Sequence, residues 1–98
     1  MGKLENTFES YLHQRVKAVG GTTRKYVSPG TVGVADRLVI YNGRIYMVEV
    51  KSPTGRLSVP QLREHERMAR HGIHVHIVHN REEIDGFIEN YVISKKPT

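Results

Sequence analysis

The sequence predicts an α/β fold: a small mixed central sheet flanked by helices, with its site on one edge of the sheet, in one domain over residues 1–98. Three observations predict it. Apolar residues alternate with polar ones in some stretches and recur at helical spacing in others, giving the order helix, strand, strand, strand, helix, strand, helix. Asn42-Gly43 separates two strand-like runs, and Asn-Gly is the strongest short hairpin signal. Ser58 with Gln61, and Asn80 with Glu83, each have the spacing of a capping box.

The first helix is predicted to begin near Asn6, with Glu9 three residues on as its capping partner. Phe8, Leu12, Val16 and Val19 follow at helical spacing until Gly20-Gly21 ends the run. A short strand is expected over 22–27, and a proline with two glycines makes 28–33 a loop. Residues 36–41 and 44–51 form the hairpin, whose two turn residues need positive φ in a type I′ turn.

Ser58 then opens a second helix with Pro60 in its first turn, where a missing N–H costs little. Its apolar face is read as Leu62, Ala69 and the stem of Glu66, with Met68 at the flank, and Gly72 stops it. Ile73, Val75 and Ile77 alternate with His74 and His76 as a strand does. A last helix opens at Asn80 and turns Ile84, Phe87, Ile88 and Tyr91 inward.

Composition narrows the chemistry. There is no cysteine, which excludes disulfides, thiolate zinc sites and thiol catalysis and fits a cytoplasmic setting. No apolar run approaches the roughly 20 residues that span a bilayer, so no membrane partner is expected. Lys and Arg outnumber Asp and Glu by 15 to 10, a balance suited to a polyanion such as DNA.

The hairpin fixes a register. With a two-residue turn Tyr41 faces Arg44, and counting back along both strands sets Asp36 opposite Glu49. Two carboxylates placed across an antiparallel pair repel, which a purely structural sheet avoids. A hard divalent cation turns that repulsion into attraction. Alternation puts Lys51 on the face of Glu49 and turns Val50 to the other side. Solvated charges pairing on an exposed sheet face are the plain alternative.

These residues, Gly33-Val34-Ala35-Asp36, Val48-Glu49-Val50-Lys51, Gly55-Arg56-Leu57-Ser58 with Gln61, and Gly72-Ile73-His74-Val75, together resemble a VRR-Nuc domain of the PD-(D/E)XK nuclease superfamily. The resemblance runs from Glu9 to about Val78. One departure is Ala35, where the family often has proline before the aspartate; that proline is not a ligand. The expected single domain resembles the stand-alone members of the family found in phages.

The resemblance implies an endonuclease that hydrolyses phosphodiester bonds in DNA with Mg²⁺ or Mn²⁺. Asp36, Glu49 and the carbonyl of Val50 would bind the metal, and Lys51 would orient the attacking water and stabilise charge on the phosphate. Glu9 matches the family's first-helix glutamate, a further metal-site residue, and Gln61 a glutamine near the site. Both also have plain readings as capping residues. Lys17, Arg24, Lys25 and Arg56 are candidate DNA contacts. The expected substrate is branched DNA, foremost four-way junctions, cut by a homodimer whose candidate surface is the last helix with Phe87, Ile88 and Tyr91. Alternatives are an archaeal-type Holliday junction resolvase and a catalytically silent DNA-binding module. Four histidines lie between His71 and His79, and His74 and His76, which share a strand face, are expected to cover one side of the last strand rather than to bind zinc.

Overall fold

The computed structural model describes residues 3–94, with side chains from Asn6 onward. Helix α1 (Lys3–Ala18) leads into β1 (Thr22–Lys25), β2 (Arg37–Tyr41) and β3 (Arg44–Val50). Helix α2 (Val59–Arg70), β4 (Val75–Val78), α3 (Arg81–Phe87) and a π-helical turn (Ile88–Val92) complete the chain. The four strands form one sheet in the order β1-β2-β3-β4. The first three are antiparallel meander partners, whereas β3 and β4 run parallel, joined by the α2 crossover that parallel neighbours require. The expected mixed sheet flanked by helices is therefore the fold.

The hairpin register is the expected one. Tyr41 pairs with Arg44 and Arg37 with Val48, which carries Asp36 to the level of Glu49. Asn42 and Gly43 take φ of 49° and 79°, the left-handed pair that a type I′ turn demands. The ladder outruns the formal strands: Tyr26 N donates to Asp36 O, and Lys51 N to Val78 O, each at 2.9 Å.

One face of the sheet holds the apolar core. Phe8, Leu12 and Val16 of α1 pack with Val39, Val48, Val50 and Val78 of the strands and with Ile84, Phe87, Ile88 and Val92. Fully burying each such side chain stabilises by roughly 1.5–3 kcal/mol, so this layer carries most of the folding energy. Asp85 clasps α3 to α1, accepting from Tyr11 Oη at 2.8 Å and Arg15 Nε at 2.9 Å.

Four expectations are corrected. Helix α1 begins at Lys3, so Asn6 lies within it rather than capping it; Lys-Leu-Glu favours helix, and the backbone simply extends another turn. The site lies at the ends of the two central strands, not on a sheet edge. Helix α2 turns Gln61, Glu64, His65 and Met68 inward and leaves Leu62 exposed, because the strand beneath it presents Glu49 and Lys51 rather than apolar side chains. Tyr91 is half exposed and Val92 takes the buried place. The cause is the π-helical turn, in which Ile93 N donates to Ile88 O five residues back, so the wider turn shifts the inward position by one.

Candidate active site at the open end of the hairpin

Alternation along β3 sends Val48 and Val50 into the core and Glu49 to the opposite face, beneath α2. Glu49 is only 1% exposed. An ionised carboxylate buried without compensation costs several kcal/mol, as much as one or two core side chains supply. The molecule surrounds it accordingly. Gln61 Nε2 donates to Glu49 Oε2 at 3.1 Å, and Lys51 Nζ lies 3.6 Å from the same oxygen. Oε1 has no hydrogen-bond partner, and neither does His65 Nε2, 3.9 Å away.

Burial first, and then the neighbouring Asp36 carboxylate, push Glu49 up from 4.5 to about 8 against the opposing pull of Lys51. Asp36 is itself anchored, its Oδ2 accepting from Val50 N at 3.0 Å across the hairpin. The loop before it is fixed by Gly33, where φ is 89° and an added Cβ would stand 2.6 Å from the carbonyl carbon of Pro60. The first turn of α2 thus packs directly on the segment that delivers Asp36.

The capping box of α2 forms as expected, with Ser58 Oγ accepting from Gln61 N and Gln61 Oε1 accepting from Ser58 N. Gln61 makes both contacts, its Oε1 serving the cap while its Nε2 reaches Glu49.

The structure therefore brings Asp36, Glu49, Val50, Lys51 and Gln61 together. It does not bring Glu9 to them. Glu9 is buried as its place beside Leu12 suggests, but Arg37 Nε meets its Oε1 at 3.0 Å. Arg37 follows Asp36 directly, so their side chains leave the strand on opposite faces. Among the described residues no group of three or more His, Asp or Glu side chains converges as a metal cluster.

A solved structure described as a VRR_NUC domain matches this chain with TM-score 0.83 and 36% identity, over 92% of this chain and 99% of its own. "Putative nuclease p44" of Acyrthosiphon pisum secondary endosymbiont phage 1 is 40% identical over 79 residues, covering 80% of this chain and 85% of that protein. The chain belongs to the VRR-Nuc family. Its α/β nuclease fold is the one expected from the sequence, although no family model matches it.

The four candidate DNA contacts of this VRR-Nuc chain are all exposed. Arg24 and Lys25 line an open cleft with His13, Arg37 and Glu9 between α1 and β1. Arg24 Nη1 is held by Thr22 Oγ1 and Thr23 O, each at 2.9 Å, which fixes its direction. Tyr41 and Tyr46 pack against the core, the packing role usual for strand tyrosines. His76 does cover the last strand, its ring against Phe87, Tyr46 and Tyr91.

Two residues of the site region carry little signal in the sequence. His65 was signalled only by its place four residues after Gln61, which sets it on the same helix face. Arg37, the partner of Glu9, carried no signal, since nothing local says which face of β2 meets α1.

Proposed function

We propose that this VRR-Nuc chain is a divalent-metal-dependent endonuclease that cuts branched DNA, foremost four-way junctions. The observation that carries the reading is the buried Glu49 carboxylate, set beside Asp36 with one oxygen unpartnered. A pair of carboxylates in this state is a poor structural element and a good cation site. Hard oxygen donors suit Mg²⁺ or Mn²⁺, and Mg²⁺ takes only one or two protein carboxylates while keeping several waters. Asp36, Glu49 and the Val50 carbonyl would hold the ion. When bound it supplies Lewis acidity toward the phosphate and a water acidic enough to attack near neutral pH.

The chain's own residues do the rest. Gln61 fixes Oε2 of Glu49, so the carboxylate is aimed before the metal arrives. Lys51, with a side chain 14% exposed, offers its ammonium toward the scissile phosphate and the attacking water. Lys17, Arg24, Lys25 and Arg56 add phosphate contacts that position the duplex without reading its sequence. Glu9 serves this reading through Arg37 rather than as a ligand.

Two symmetric cuts in a junction call for two sites, which a C2 homodimer supplies. Phe87 and Ile88 are buried and unavailable, but exposed Ile45, Ile73 and Tyr91 line one cleft beside Tyr46 and Met47, an apolar surface suited to a second copy. The silent DNA-binding reading is disfavoured, since a module of that kind has no use for a buried Glu49 carboxylate set beside the half-buried Asp36.

The test is incubation with linear, flapped and four-way DNA in Mg²⁺, Mn²⁺ and EDTA, with Lys51→Ala as control. Cleavage in either metal, none in EDTA, and none by Lys51→Ala despite unchanged band shifts is the expected result. Metal-independent cutting, or a Lys51→Ala protein as fast as wild type, overturns the mechanism. Exclusive nicking of flaps by a monomer overturns the junction and the dimer only.

A further inference from the structure

Gln61 and His65 stand on successive turns of α2 and share the face that meets β3. Each addresses a different oxygen of Glu49: Gln61 Nε2 lies 3.1 Å from Oε2, and His65 Nε2 lies 3.9 Å from Oε1. Those last two atoms are, among the described residues, the buried side-chain polar atoms that have no hydrogen-bond partner, and they face each other. Buried polar atoms are rarely left so, because an unmet donor or acceptor forfeits its hydration. A neutral imidazole has one N–H to give, and a carboxylate oxygen can take it. The gap is about 1 Å longer than a hydrogen bond, and site hydrogen bonds are often long before a site is loaded. The His65 side chain is 12% exposed, so bulk water competes little for either atom.

We propose that His65 is a positioning residue whose Nε2–H donates to Oε1 of Glu49, so that imidazole and Gln61 carboxamide together hold the carboxylate for a divalent cation. This rests on the metal-site reading above and extends it to a residue outside the expected ligand set. The pairing has a simple logic: one helix face supplies one donor to each carboxylate oxygen. The aim of the group is then set by α2 rather than by the flexible Glu49 side chain. His65 would act through Glu49 rather than on the reacting atoms.

The test combines two measurements. Nitrogen-15 NMR of the wild type in EDTA at alkaline pH, where the Glu49 carboxyl is ionised, should show His65 as the Nε2–H tautomer; an Nδ1–H tautomer with bare Nε2 there overturns the proposal. Calorimetric Mn²⁺ titration should then show His65→Leu weakened about 10-fold or more, with His65→Gln, which keeps an N–H donor, within about 3-fold of wild type. On DNA at limiting Mn²⁺, His65→Leu should lower kcat with KM unchanged. Wild-type affinity in His65→Leu, or equal losses in both variants, overturns the positioning role. If His65→Leu does not fold, the tautomer and His65→Gln carry the test. A wild type that binds no Mn²⁺ overturns the metal reading itself, an outcome distinct from a wild type that binds and a Leu variant that binds equally.

Discussion

Gln61 donates to the buried carboxylate of Glu49 at 3.1 Å while the oxygen of the same carboxamide accepts the Ser58 N–H at 2.9 Å. Helix capping and site geometry are therefore one structure. The first turn of α2 cannot fray without releasing Glu49, and Gly33 packs that turn on the loop that carries Asp36. The helix N-terminus thus joins Lys51 in holding the Glu49 carboxylate.

Ser58→Ala should remove the cap alone, lowering stability by about 1 kcal/mol with a small effect on cleavage. Gln61→Ala should cost a similar amount of stability and also slow cleavage by about 10- to 100-fold, because it frees the Glu49 carboxylate. Urea melts and product gels on the two variants decide it. Equal cleavage by both would mean that the contact to Glu49 is incidental.

Asp36→Asn should weaken Mn²⁺ binding and change how stability depends on pH. Folded Glu49 keeps its proton to about pH 8, whereas an unfolded chain loses it near 4.5. The folded state therefore holds more protons across that window, so this contribution is full below about 4.5 and is lost as pH rises through about 8. Removing the Asp36 charge should narrow the window from its upper end. Melts in EDTA across the window, repeated with Mn²⁺, check both parts. Equal stabilisation of mutant and wild type by Mn²⁺ would exclude Asp36 as a ligand.

Glu9→Gln should break the ion pair with Arg37 and cost about 1–2 kcal/mol of stability. Its Mn²⁺ affinity should stay near that of wild type, whereas Glu49→Gln loses about 10-fold or more. Calorimetry on the two variants separates the roles, and matching losses would return Glu9 to the ligand set.

His76 is held neutral by burial, which lowers it from 6.5 to about 4, with His74 adding to the shift. Here the sign is opposite to that of Glu49. Stability is present above 6.5 and is lost as pH falls toward 4, because the unfolded chain takes up the proton first. The loss amounts to roughly 3 kcal/mol. His76→Phe, which keeps a ring against Phe87 and Tyr91, should flatten that acid limb. A mutant as acid-sensitive as wild type in pH-dependent denaturant melts would acquit His76.

Local sequence rules determined much of this protein. Asn42-Gly43 set the turn, the turn set the register, and the register alone placed Asp36 level with Glu49 on a face shared with Lys51. Ser58 and Gln61 marked the start of α2 because capping depends on neighbours three residues apart. Such features are short-range, and their geometry does not wait on the rest of the fold. What lay against each face was decided only in three dimensions. Leu62 suggested an apolar stripe on α2, yet the helix turned Gln61 and His65 to the sheet because the strand beneath offered a carboxylate. Glu9 by its spacing fits a helix cap and by resemblance a metal-site residue, and only the tertiary fold pairs it with Arg37, 28 residues away. Tyr91 lost its inward place to Val92 because one π-helical turn changed the period of the last segment. The raised Glu49 belongs to the same class, since it arises from burial and from the nearness of Asp36. Spacing along a chain specifies which side chains share a face; only packing specifies what that face meets, and desolvation and charge follow from the meeting.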